Sequence, residues 1–213
     1  MSKAATPLRT PAGSALRLPT RALAEAVAEE WQQHGRFSAA KMPLTSLAYT
    51  AIDRIEGQKE NIAEALLAFL DTDTLSHRAS TQEKLFQRQK EQWDPILAWA
   101  EKTFGATWQL TQGVMPMDQP PALHDAIRRY LLRMDSMRLA AGCLLASLFS
   151  SLALALATLA GQLDTLEAFR LSRLEEDYQA EQWGEDSEAV SRAARLREEA
   201  AAVKRFLRLL EAA

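Results

Sequence analysis

The densest chemistry-bearing set in the chain is an acidic run. It reads Glu175-Glu176-Asp177-Tyr178-Gln179-Ala180-Glu181-Gln182-Trp183-Gly184-Glu185-Asp186. Asp177, Glu181 and Glu185 stand at i, i+4 and i+8, so an unbroken helix would line up their carboxylates on one face. Carboxylates so placed could serve acid/base catalysis. With Glu-x-x-His motifs they could hold two metal ions. No such motif is present, and no histidine follows His124. A charge run is usually a solvated face; its other use here is a partner-facing acidic patch. Trp183, set among charges, fits an interface hot spot as readily as a core anchor.

Other chemistry finds little support. His34, His77 and His124 lie far apart and make no metal-ligand spacing. The single cysteine, Cys143, excludes an internal disulfide and any Cys-cluster zinc site. Its apolar setting makes it a buried thiol rather than a nucleophile. No phosphate-binding loop, dinucleotide fingerprint, His-Glu-x-x-His or nucleophile elbow occurs. Lys and Arg total 25 against 28 Asp and Glu, a net charge of −3 that gives no nucleic-acid footprint. His77 and Arg78 could form a surface site, although a capping or loop role suits them better. These residues carry no enzyme or cofactor signature and point to a binding or assembly protein.

The 213 residues suffice for a real core, and the 47% apolar and 25% charged composition is that of a globular protein. The first acid is Glu25. The basic, acid-free start is broken by Pro7, Pro11 and Pro19 and has no apolar stretch of the secretory kind. It is expected to form an extended or β-forming arm. Thr20 caps a helix that Gly35 stops, with Leu23, Val27 and Trp31 on its buried stripe. Further helices are expected over 43–55 and 59–70. Residues 71–80 read as a linker or turn. Thr81 opens a helix that Pro95 should kink or restart and Gly105 ends. Trp108 and Leu110 alternate with Thr107, Gln109 and Thr111, which predicts a strand over 106–111. Pro120 can start a helix to about Met134.

Residues 139–160 form a 22-residue stretch without charge. As one helix it would be roughly 33 Å long, enough to span a bilayer. However, Gly142, Ala146, Ser150, Ala153, Ala157 and Ala160 form a small-residue stripe, with leucines mostly on another side. No Trp or Tyr marks a membrane interface. A long buried central helix of a bundle is the expected form, with a transmembrane helix as the alternative. Asp164 caps the next helix. Asp186 or Ser187 caps the last, where Ala189, Ala193, Leu196, Ala200, Val203, Leu207 and Leu210 repeat at heptad spacing. That seam is expected to pack inside the bundle, with a partner-binding seam as the alternative.

Several strings, in order, carry a resemblance. They are Pro7-Leu8-Arg9-Thr10-Pro11-Ala12, then Leu18-Pro19-Thr20-Arg21-Ala22-Leu23-Ala24 and Glu30-Trp31. Met42-Pro43-Leu44-Thr45-Ser46-Leu47-Ala48-Tyr49-Thr50-Ala51-Ile52-Asp53-Arg54 follows. Trp93-Asp94-Pro95-Ile96-Leu97, Gly113-Val114-Met115-Pro116 and Leu171-Ser172-Arg173-Leu174-Glu175-Glu176-Asp177-Tyr178-Gln179 come next, and Glu181-Gln182-Trp183-Gly184-Glu185-Asp186 closes the set. Together they resemble the ATP synthase assembly factor two family, the chaperones of the alpha subunit of the F-type ATP synthase catalytic head, over about residues 7–210.

The resemblance implies a mostly α (α+β) fold. A small N-terminal α+β domain over 1–79 would precede a helical orthogonal bundle over 80–213. It implies a protein that is no ATPase, uses no cofactor, and binds free alpha subunit as a monomer before the beta subunit arrives. It places the partner contact on Asp177, Glu181, Trp183, Gly184, Glu185 and Asp186, with Glu181 foremost. Only Met1–Thr6 precede the first string, where the family carries further strands, so the N-terminal sheet is expected to be incomplete. The short lead favours the bacterial cytoplasm, with the mitochondrial matrix for a eukaryotic chain.

Overall fold

The computed structural model describes residues 8–80, 82–112 and 117–212. Thr81, expected to open a helix, and the string at 113–116 lie outside them. Ten α-helices and one parallel pair of two-residue strands make up the regular structure of the described residues, together with one π-helical and one 3-10 turn. At the start, Arg9 and Ala15 form a single antiparallel bridge.

Helix α1 (Arg21–His34) begins as expected, with Thr20 Oγ1 accepting the Leu23 N–H, and stops at Gly35 with φ 69°. Helix α2 (Pro43–Thr50) has no side-chain cap of its own and runs on into a π-helical turn, Ala51–Ile55. Its cap comes from α1. The buried Glu30 carboxylate accepts the Leu44 and Thr45 N–H groups, each at 2.9 Å, and the Thr45 hydroxyl at 2.7 Å. A carboxylate there satisfies orphan donors and complements the helix dipole. Helix α3 (Lys59–Leu67) ends short of the expected Leu70.

Residues 71–80 are not a bare linker. They hold a 3-10 turn, Thr74–Ser76, and strand β1 (His77–Arg78), and Asp73, Leu75, Ser76 and Arg78 are all buried. Helix α4 (Glu83–Phe104) continues through Pro95 as one element and ends at Gly105, φ 66°. The strand expected over 106–111 shrinks to β2 (Thr111–Gln112), parallel to β1. Side chains take the donors that a longer ladder would need. Glu101 accepts the Trp108 N–H at 2.7 Å, and Gln119 accepts that of Gln109 at 2.9 Å.

Helix α5 (Pro121–Arg133) precedes the central apolar stretch, which is buried as expected but is not one helix. It divides into α6 (Ser136–Phe149) and α7 (Leu152–Leu159). Ser150 takes the left-handed conformation, φ 49°, which costs a non-glycine residue about 1–2 kcal/mol. Contacts from the 71–80 segment hold the break open. The Thr74 N–H and hydroxyl both donate to Ser150 O, at 3.1 and 2.8 Å, and Asp73 accepts the Ala153 N–H. The two helices fold back so closely that a Cβ on Gly142 would lie 2.9 Å from Leu159 Cδ1. No helix of the described residues is long and apolar enough to cross a membrane.

Helices α8 (Thr165–Ser172), α9 (Leu174–Trp183) and α10 (Ser187–Glu211) complete the chain. Asp164 caps α8 and Asp186 caps α10, as expected. Helix α10 packs on α8, α6, α2 and α1. One hydrophobic cluster runs from Leu23 of α1 through α6 and α7 to Phe206 of α10.

Candidate functional site

Helices α8 and α9 meet at Arg173 rather than forming one rod, and α9 opens with Glu175, Glu176 and Asp177 in its first turn. Acids there complement the positive end of the helix. Gly184 ends it. Its N–H bonds Ala180 O at 2.8 Å while φ 92° and ψ 162° place it in a region open essentially to glycine alone. Asp186 then caps α10, accepting the Ala189 N–H at 3.1 Å. Gly184 and Asp186 thus build the turn that sets α9 and α10 facing across an open groove of about 1200 Å³.

Apolar side chains lining the groove include Leu144 and Leu148 of α6, Phe169 of α8, and Val190 and Leu196 of α10. Trp183 lines it too and is 71% exposed, so the core-anchor alternative for this residue falls. Of the six residues expected to meet a partner, five line the groove: Asp177, Trp183, Gly184, Glu185 and Asp186.

Glu181 does not line it. It bonds Arg88 of α4 at 2.7 Å, and the Arg88 guanidinium lies over the Tyr178 ring at 5.2 Å. The hydrogen bond from Arg88 holds the Glu181 carboxyl below the usual carboxylate range, and burial opposes it weakly. The alignment of Asp177, Glu181 and Glu185 is also lost, because the helix ends at Gly184 before reaching Glu185. Among the described residues no group of three or more His, Cys, Asp or Glu side chains is placed to hold a metal ion.

Behind the groove a buried polar network fixes α9. Gln89 of α4, fully buried, accepts the Ala79 N–H at 2.8 Å and donates to Glu175 at 2.6 Å. Burial pushes the Glu175 carboxyl up, against the hydrogen bond from Gln89. Trp93 Nε1 donates to Leu171 O at 2.9 Å. The guanidinium of Arg78 lies over Trp93 at 5.4 Å. Its Nε donates to Leu75 O, and its Nη2 is 2.9 Å from Asp94 Oδ1, paired by charge but off the line of a hydrogen bond. Arg78 is therefore a buried strut rather than part of a surface site. In the sequence the only signal of this network was Gln89, a polar residue on an apolar helical stripe. Cys143 is largely buried, which pushes its thiol up to about 11.

The fold is of the mostly helical class, with an open groove that carries an exposed tryptophan. Comparison with known proteins makes the class particular. The family model of the ATP12 chaperone protein matches residues 5–101. The crystal structure of Atp12 from Paracoccus denitrificans is 40% identical, with a TM-score of 0.86 over 97% of this chain and 88% of that one. A point mutant of the same protein gives 0.88 over 95% and 87%. The mitochondrial protein atp12 of Schizosaccharomyces pombe is 31% identical over 190 residues, 83% of this chain. The chain spans 65% of that relative's length. This chain belongs to the ATP12 chaperone family, the family its ordered strings resemble.

Proposed function

We propose that the protein is an assembly chaperone of F-type ATP synthase. It binds the unassembled alpha subunit and keeps it from aggregating until the beta subunit takes over the same surface. An unassembled subunit exposes an apolar interface. A protein occupying that interface lowers the concentration of the aggregating form by mass action. The observation that carries this reading is Trp183, 71% exposed on the edge of the groove between α9 and α10. Tryptophan is enriched among the residues that carry binding energy where partners meet. Family membership supports the chaperone role. In this reading Asp177, Trp183 and Glu185 touch the client, Gly184 and Asp186 shape the turn that presents them, and Glu181 is met on the outer face of α9. The bacterial cytoplasm is the proposed location, or the matrix for a mitochondrial chain.

The test is co-expression with the cognate alpha and beta subunits separately, followed by size-exclusion chromatography without detergent. Soluble co-elution with alpha and not with beta is expected. Co-elution with beta alone, or with neither, would overturn the reading.

A further inference from the structure

The first three turns of α10 carry no fully buried residue, and Leu196 alone among their apolar side chains packs against the core cluster. Burial on this helix begins at Ala200 and continues at Val203 and Phe206. Before it, Ala189 is exposed, Val190 is 47% exposed, and Ala193 and Leu196 are only half-buried. Of the heptad seam read from the sequence, Ala200 and Val203 are buried, Leu207 and Leu210 are half-buried, and the N-terminal positions Ala189, Ala193 and Leu196 line the groove that Trp183 also lines. The charges around the groove are one-sided. Seven acidic residues line it against two arginines, Arg173 and Arg192. Arg173 is already shared between Glu176 and Asp177, at 3.8 and 3.9 Å.

We propose that the groove is occupied by an amphipathic helical segment of the client, with apolar residues toward Trp183, Val190 and Leu196 and lysines or arginines along both polar edges. The proposal rests on reading this groove as the client site. A helix is the form that fits. The groove's long walls are themselves helices whose backbone groups bond internally, so they offer no sheet edge to an extended segment. A helix brings its own backbone bonds satisfied and lays one face into the groove. The basic edges follow from charge. A neutral or acidic segment would desolvate or face the wall carboxylates without pairing them, which is costly, whereas a basic one pairs them. Acidic walls thus reject wrong segments as well as favour right ones.

Two peptides test this, each of about 18 residues, some 27 Å of helix. They share one Leu/Ala face and differ in carrying Lys or Glu on the other. Binding is read by intrinsic tryptophan fluorescence, with Trp183→Phe giving the signal that belongs to Trp183. The Lys peptide is expected to bind saturably. It should bind roughly tenfold or more weakly between about 0.05 and 0.5 M salt, and to a similar extent more weakly to the Glu176→Lys/Asp177→Lys/Glu188→Lys variant. Equal binding of the Glu peptide, indifference to salt and charge reversal, or no binding of either peptide would overturn the proposal. The salt series needs no variant, so a misfolded triple mutant would not spare it. If alpha co-elutes with the chain while neither peptide binds, the occupant proposal fails and the chaperone reading stands. If the Lys peptide binds selectively and alpha does not co-elute, the client reading fails and the groove chemistry stands.

Discussion

Asp73 accepts the Ala153 N–H at 2.9 Å from 80 residues away in the chain. Its other oxygen accepts the Leu75 N–H at 2.9 Å, so one fully buried carboxylate caps both the 3-10 turn and the start of α7. Burial pushes this carboxyl up to about 6, against hydrogen bonds from Ala153, Leu75, Ser151 and Leu152. The folded value lies above the ordinary 3.8, so between the two the folded state holds more protons than the unfolded chain. This group's contribution to stability is therefore fully present below about pH 4 and falls as pH rises through about 6. Urea unfolding of the wild type and Asp73→Asn at pH 4.5 and 7 should show the wild type's relative stability dropping by on the order of 2 kcal/mol at the higher pH. A rise instead would refute the assignment.

Glu30 offers a sharper cut. Glu30→Ala leaves the Leu44 and Thr45 N–H groups and the Thr45 hydroxyl without their acceptor in a buried place. Each abandoned donor costs about 1–3 kcal/mol, so a loss of roughly 3 kcal/mol or more is expected in denaturant unfolding. Helix α2 has no other side-chain cap to fall back on. A loss below about 1 kcal/mol would mean that water or another group takes over.

What could be read from the sequence is what is local. Thr20, Asp164 and Asp186 cap helices whose first turns they directly precede, and Gly35, Gly105 and Gly184 end helices by their own backbone freedom. The break at Ser150 was not legible, because the groups that hold it, Asp73 and Thr74, come from a distant segment that looks like a linker. Arg78 suits a capping or loop role in the sequence, and its burial was not legible for the same reason: its partners Trp93 and Asp94 sit on α4. At the candidate site the composition of the groove was visible in the acidic run. Its geometry was not, since the position of α4 decides that Glu181 bonds Arg88 and does not line the groove.

The contact of α6 with α7 predicts a change of sign. Gly142→Ala gains up to about 1 kcal/mol of helix propensity. It also sets a methyl 2.9 Å from Leu159 Cδ1, and such overpacking typically costs about 1–3 kcal/mol. In the wild-type background the substitution should be neutral to destabilising by roughly 2 kcal/mol. In a Leu159→Ala background, where the clashing atom is gone, it should stabilise by up to about 1 kcal/mol. Equal effects in both backgrounds, read by thermal or urea unfolding, would show that the two helices do not meet at these residues.

Glu181 separates contact from scaffold. Its ion pair with Arg88 is largely exposed, and such pairs add little to stability. Glu181→Ala should therefore leave the melting temperature nearly unchanged while weakening co-elution with the alpha subunit. Arg88→Ala breaks the same pair but leaves the carboxylate in place and frees it for a partner. If Glu181 meets the client directly, Arg88→Ala keeps or strengthens the association. If Glu181 acts only by holding α9 against α4, both variants lose association to the same extent. Measured side by side on the size-exclusion column, with melts of each variant, the pair decides whether the outer face of α9 is a second contact or a brace for the groove behind it.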